Sequence, residues 1–118
     1  MIAWRATREA TRAVHDAMPV LEQAEEVIVC SVNPDDRDYL AGAEICAHLA
    51  RHGVNATLWH IVAPDMGVAD CILSAVAVNG IDLLVMGGYG HSRLRELAFG
   101  GATREIMHAM TCPVMISH

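Results

Sequence analysis

Apolar residues recur along this chain with two spacings that alternate from one end to the other. After Thr7 they come every three or four positions, which is the spacing of one face of a helix. Between 27 and 32 nearly every residue is apolar and most are β-branched, which is typical of a strand covered on both faces. The full pattern predicts five strands, at 1–4, 27–32, 54–62, 83–86 and 112–117. A helix is predicted after each of the first four.

Strands that alternate with helices of this length predict a parallel sheet with right-handed crossovers and helices on both faces. The first strand is short, because a strand usually has about five to six residues. No linker, repeat or low-complexity stretch divides the chain, so we predict a single domain spanning 1–118. In an open sheet of this class, ligands bind beyond the carboxyl ends of the strands, where the strand order reverses.

A glycine-rich segment follows the fourth strand. Gly87, Gly90 and Gly100 have the spacing G-x2-G-x9-G, and Gly101 and Ala102 then open another helical pattern. Glycines let an anion approach the backbone N–H groups closely, and a helix start favours negative charge. We therefore predict an anion site at this loop, with the fourth helix beginning near 100–102. The alternative is that these glycines only make tight turns and let the fourth helix lie close to the sheet.

The segment 81–101 resembles the signature loop of the universal stress protein family, and the similarity extends over nearly the whole chain. Residues 90–96 and 100–103 resemble in particular a bacterial branch whose members often carry two such domains in tandem. The resemblance implies a flavodoxin-like, Rossmann-like three-layer sandwich with strand order 3-2-1-4-5. It also implies a regulatory role in the stress response, and ATP or AMP, with magnesium, as the ligand.

Under this resemblance, the candidate nucleotide-binding residues follow the first, second and fourth strands. They are Arg5, Thr7, Val32, Gly87, Gly90, Arg93, Gly100, Gly101 and Ala102. The resemblance further implies a homodimer formed through the last strand. The residues of that strand are Pro113, Val114, Met115, Ile116 and Ser117. An exposed strand at a sheet edge has unpaired N–H and C=O groups that invite such pairing.

Two positions depart from the family's ATP-binding pattern. Arg5 stands where an acidic residue is usual, and Gly101 stands where a serine or threonine follows the last glycine. Arg5 could reach a phosphate, or it could simply be solvated. These departures support an alternative function, in which the domain is a dimerisation module that has lost its nucleotide.

Charge and cysteine usage narrow the range of partners. The formal net charge is −6 and no basic run offsets it, so we expect neither nucleic acid nor a membrane surface as a partner. No apolar run reaches the roughly 18 residues that a membrane helix needs, and the first residues do not resemble a signal peptide. The four cysteines show no C-x-x-C spacing, so we predict a cytoplasmic protein with reduced thiols.

Catalytic chemistry finds little support in the sequence. His48 and His52 are four residues apart on the second predicted helix, but no third metal ligand is evident near them. No histidine has a nucleophile as a sequence partner. We therefore predict no catalytic residue and no metal site. Slow ATP hydrolysis ranks third, behind nucleotide binding and ligand-free dimerisation.

Overall fold

Five strands and four helices alternate along the chain, as the pattern of apolar residues predicted. The computed structural model describes residues 1–88 and 93–118, with only the backbone described over 93–100. The elements are β1 (Ile2–Ala3), α1 (Arg8–Leu21), β2 (Val27–Val32), α2 (Asp36–Arg51), β3 (Ala56–Ile61), α3 (Val68–Val78), β4 (Leu84–Gly87), α4 (Arg93–Ala109) and β5 (Val114–Ser117).

The strands form one parallel sheet in the order β3-β2-β1-β4-β5, which confirms the predicted order 3-2-1-4-5. Although β1 has only two residues, it lies at the centre. Ile2 is in register with Val29 of β2 on one side and with Val85 of β4 on the other. The strand order reverses between β1 and β4, so the carboxyl ends of these two strands mark the place where this class of sheet binds ligands.

The sheet is covered on both faces, which confirms the three-layer sandwich. Val27 and Val29 belong to a core that packs against α1 and α2. Ile28 and Cys30, the alternate residues of the same strand, belong to a second core that packs against α3 and α4. Because successive side chains of a strand point to opposite faces, an apolar residue is needed at each of these positions.

Local capping fixes where the first two helices begin and end. The Thr7 side chain accepts a hydrogen bond from the backbone N–H of Ala10 at 3.3 Å and caps α1. Asp35 and Asp38 form a capping box at the start of α2. Gly53 follows α2 with a φ of 75°, the left-handed conformation that glycine adopts readily after a helix.

The predicted start of the fourth helix near 100–102 is wrong. Helix α4 begins at Arg93, so Gly100 and Gly101 lie in its interior. The preceding residues 93–99 include arginine, leucine, glutamate and alanine, which favour a helix and outweigh a cost of about 1 kcal/mol for each glycine. The N–H groups of Gly101 and Ala102 are therefore outside the first turn, where a helix has unsatisfied donors.

Candidate functional site

A cleft of about 650 Å³ opens at the carboxyl ends of β1 and β4, where the strand order reverses. Its volume is in the range of about 300–1,000 Å³ that is usual for small-molecule sites. The turn between β1 and α1 forms one wall, and the starts of α2 and α3 form another. Residues at the end of β4 and on α4 complete the lining. The cleft therefore lies where the fold class predicts a ligand.

The structure brings together five of the nine candidate nucleotide-binding residues in this cleft: Arg5, Thr7, Val32, Gly87 and Ala102. The Thr7 hydroxyl already accepts the N–H of Ala10, so part of its bonding capacity is used by the helix cap.

The other four candidates are not among the described residues that line the cleft. Gly101 lies on α4 and is not among the lining residues. Gly90 is outside the described residues. Arg93 and Gly100 belong to the part of α4 that is described by its backbone only.

Two glycines at the end of β4 make room for other parts of the protein. A Cβ atom on Gly87 would lie 2.5 Å from the backbone nitrogen of Ala10 and 2.7 Å from the carbonyl carbon of Glu9. A Cβ atom on Gly88 would lie 2.5 Å from Cγ2 of Ile116. The close-packing alternative therefore holds for both residues. The nearest described neighbour is α1 for Gly87 and β5 for Gly88, and Thr103 of α4 is next at Gly88.

Asp38 is a structural residue of the cleft that the sequence analysis did not single out. Its side chain is buried, and Oδ1 accepts the N–H of Ala6 at 2.8 Å while Oδ2 accepts the N–H of Asp35 at 3.2 Å. One carboxylate thus joins the β1–α1 turn to the start of α2. The sequence contains the signal for the capping box, but the bond to Ala6 spans 32 residues and has no local signal.

The carboxyl group of Asp35 lies at the same corner. The N–H of Asp38 donates to it at 2.9 Å, and this hydrogen bond is the main reason that the pKa of Asp35 is lowered. Desolvation opposes this effect, and the backbone N–H of Arg37 together with the charges of Arg37 and Arg5 lowers the pKa of Asp35 further. Asp35 is therefore ionised at neutral pH.

Two polar groups of the cleft lack a partner among the described residues. The indole Nε1 of Trp4 is buried and makes no hydrogen bond there. Thr103 is 5% exposed, and no hydrogen bond of its hydroxyl joins it to another described residue. The Thr103 methyl group faces Gly88, with Cγ2 3.8 Å from the position of a Cβ there. Both residues line the cleft, and both were missed because neither belongs to a recognised motif.

The histidines on α1 and α2 form a separate cluster. The ring centroids of His15 and His48 are 5.4 Å apart, and those of His48 and His52 are 4.8 Å apart. Within 1–88 and 93–118, no group of three histidine, cysteine or acidic residues is arranged to hold a metal ion. In the same described part of the chain, no helix is both long and apolar enough to cross a membrane.

Strand β5 forms one edge of the sheet and bonds to β4 on its inner side. The carbonyl of Pro113 accepts the N–H of Leu84 at 3.0 Å, and the carbonyl of Ser117 accepts the N–H of Gly88 at 2.8 Å. Because backbone groups alternate in direction along a strand, the N–H groups of Val114 and Ile116 face the open edge.

The open parallel sheet and the position of its cleft define a doubly wound α/β domain of the Rossmann-like type. Residues 48–118 match the model of the universal stress protein family. That match covers more than half of the sequence, so the chain belongs to the universal stress protein family.

Known relatives agree with this assignment. The universal stress protein Slr1230 of Synechocystis sp. is 46% identical over 37 residues, a stretch that covers 31% of this chain and 13% of that protein. A universal stress protein from Archaeoglobus fulgidus has a similar structure, with a TM-score of 0.78, 16% identity and coverage of 99% of this chain and 95% of that one. A universal stress protein solved in complex with cAMP gives a TM-score of 0.76, 16% identity, and 99% and 94% coverage. At this identity the two structures establish the shared fold.

Proposed function

We propose that this domain is a regulatory universal stress protein that binds an adenine nucleotide, ATP or AMP, in the cleft between β1 and β4. The observation that carries the proposal is a cleft of about 650 Å³ at the reversal of the strand order, with polar groups of Trp4 and Thr103 that have no partner in the described part of the chain. Thr103 lines the cleft, so its hydroxyl can bond to a ligand there, whereas Nε1 of Trp4 is buried and would need the indole ring to turn. A structural relative solved with cAMP supports a nucleotide as that ligand.

The proposed role is binding without catalysis. Asp38, the buried acid of the cleft, uses both carboxylate oxygens to accept backbone N–H groups. It is therefore poorly placed to orient a water molecule for hydrolysis. The Asp35 carboxylate accepts backbone N–H groups at the start of α2, so magnesium would arrive with the nucleotide phosphates and be held mainly by them. Four free thiols fit a reducing, cytoplasmic setting for this role.

Thermal unfolding with ATP, ADP, AMP and cAMP, each with and without magnesium, tests the proposal. A ligand at 100 times its dissociation constant adds about 2.7 kcal/mol, which raises the unfolding midpoint by several degrees. Replacing Thr103 by valine removes the hydroxyl and keeps the shape of the side chain. We expect this variant to bind roughly tenfold more weakly. A flat midpoint across the whole panel for the parent protein would contradict nucleotide binding.

We further propose that two copies pair through β5, because Val114 and Ile116 direct N–H groups to the open sheet edge. Replacing Val114 by proline removes one of these outward N–H groups and leaves the bonds to β4 in place. The matched variant Val114→Ala shortens the same side chain but keeps its N–H. Sedimentation should show a dimer for the parent and for Val114→Ala, and a monomer for Val114→Pro. A Val114→Pro protein that remains a folded dimer would show that pairing uses another surface.

A further inference from the structure

Three arginines line the mouth of the cleft: Arg5, Arg8 and Arg37. All three are exposed, and none of them forms an ion pair within 4 Å in the described part of the chain. In a protein with a formal net charge of −6, such a group of cations around one cleft needs an explanation. A guanidinium presents a rigid fork of donors that matches a phosphate, so these side chains suit an anionic ligand.

The acidic residues of the same cleft are already engaged in holding the fold. Both oxygens of Asp38 accept backbone N–H groups, and Asp35 accepts the N–H of Asp38. Glu9 is buried, with 7% of its surface exposed. The described lining contains as many acids as arginines, but both aspartates hold backbone N–H groups, whereas the exposed arginine side chains can turn towards a ligand.

Two of the arginines converge on one corner. Arg5 and Arg37 both act electrostatically on the carboxyl group of Asp35, which places their charges near the start of α2. The bond from Ala6 N–H to Asp38 fixes the turn that carries Arg5 against this same helix start. The described lining contributed by β4 and α4 has no charged side chain and includes Gly87, Gly88, Ala102 and Thr103. Two of the three arginines of the described lining therefore lie at the β1–α2 corner.

The chemistry of ribose recognition suggests what this corner binds. In dinucleotide-binding sheets, an acidic residue near a strand end bonds to the ribose hydroxyls, and an arginine there accommodates a ribose phosphate instead. Arg37 follows β2, the second strand, where this kind of arginine is found, and Arg5 follows the neighbouring central strand β1. The forked N–H donors of two guanidinium groups also match the oxygens of a phosphate monoester.

We propose that Arg5 and Arg37 form a subsite for a phosphate on the ribose, so that this domain selects adenine nucleotides that carry a 2′- or 3′-phosphate over those with a free ribose diol. This proposal rests on the proposed nucleotide binding and names the ligand class for the same cleft. Arg5 is the principal contact, and Arg37 supports it from α2.

Calorimetric titration of the full chain with AMP, adenosine 2′,5′-bisphosphate and adenosine 3′,5′-bisphosphate tests the subsite. We expect at least one bisphosphate to bind about tenfold more tightly than AMP, which is the gain from roughly one charge-assisted contact. In Arg5→Gln the ratio of the two affinities should fall to about one, and in Arg37→Gln it should fall part of the way. The affinity of each variant for AMP is the internal control, because unchanged AMP binding shows that the cleft of that variant is intact.

The variant Arg51→Gln is the matched control for charge. Arg51 is exposed at the last turn of α2, about 21 Å along that helix from Arg37. Its removal changes the net charge equally and should leave the ratio unchanged.

The outcomes separate the two proposals. If AMP and both bisphosphates bind equally well to the parent protein, the ribose-phosphate subsite is overturned and nucleotide binding stands. If Arg51→Gln lowers the ratio as much as Arg5→Gln, the preference comes from overall charge, and the subsite is again overturned. If none of the three nucleotides binds, nucleotide binding itself is wrong, and the subsite fails with it.

Discussion

Gly87 ends β4 directly against the first turn of α1, and its replacement by alanine tests why a glycine stands there. The added Cβ would lie 2.5 Å from the nitrogen of Ala10 and 2.7 Å from the carbonyl carbon of Glu9. Both neighbours are backbone atoms of a helix, so neither can turn away as a side chain could. Gly87 does not have a positive φ, so alanine is compatible with its backbone conformation and the effect is steric alone.

The magnitude follows from this geometry. The shortest contact is 0.9 Å closer than an ordinary contact of 3.4 Å, so α1 or β4 must move by most of that distance. Overpacking of a core costs about 1–3 kcal/mol, and rigid backbone neighbours place Gly87→Ala near the upper limit. At about 4 °C per kcal/mol for a domain of this size, the unfolding midpoint should fall by roughly 12 °C.

Urea denaturation gives the free energy of unfolding for Gly87→Ala, and two other glycines provide matched controls. Gly101 is exposed inside α4, and a Cβ there would meet only Oε1 of Glu105 at 3.8 Å. Gly101→Ala should therefore stabilise the domain by about 0.5–1 kcal/mol through its higher helix propensity. Gly42→Ala meets the flexible end of Leu58 at 2.9 Å and should fall between the two. If Gly87→Ala is as stable as the parent protein, the close approach of α1 to β4 is wrong.

Three further predictions concern the parts that surround the cleft. Gly88→Ala should destabilise the domain much more in the presence of Ile116 than in an Ile116→Ala background, because the added Cβ would clash with Cγ2 of Ile116. Additive changes in the free energy of unfolding in a double-mutant cycle would contradict this. Asp38→Ala leaves the backbone N–H groups of Ala6 and Asp35 without their acceptor and should lower the free energy of unfolding, measured in urea, by about 1–3 kcal/mol. A loss below about 0.5 kcal/mol would show that the carboxylate does not hold the β1–α1 turn. Desolvation lowers the pKa of His48, and the neighbouring His52, His15 and Arg51 lower it further, so His48 binds a proton more readily in the unfolded state. The contribution of neutral His48 to stability is therefore present above about pH 6.5 and is lost as the pH falls towards the lower pKa of the folded state. Stability measured from pH 7.5 to 5 should fall less steeply for His48→Gln, and equal slopes would refute the assignment.

The sequence by itself determined the layers of this protein. The β-branched run of β2 supplies apolar side chains to both cores, Val29 on one face and Ile28 on the other, so a strand covered on both faces could be predicted from periodicity. The helix start at Thr7 and the left-handed Gly53 after α2 were also readable, because capping depends on residues within one turn. The alternation of strands and helices placed the cleft at the reversal of the strand order.

Only the tertiary structure decided what the individual residues of the cleft do. The sequence suggested that Gly87 makes room for a ligand, whereas the fold places the backbone of α1 against it. Asp38 reaches Ala6 across 32 residues. Thr103 lines the cleft from a helix that begins at Arg93, well before the start near 100–102 that the glycines suggested. Capping and periodicity act over a few residues, and so they can be read from the sequence. The contacts of a cleft join distant segments, and they exist only once the sheet has brought those segments together.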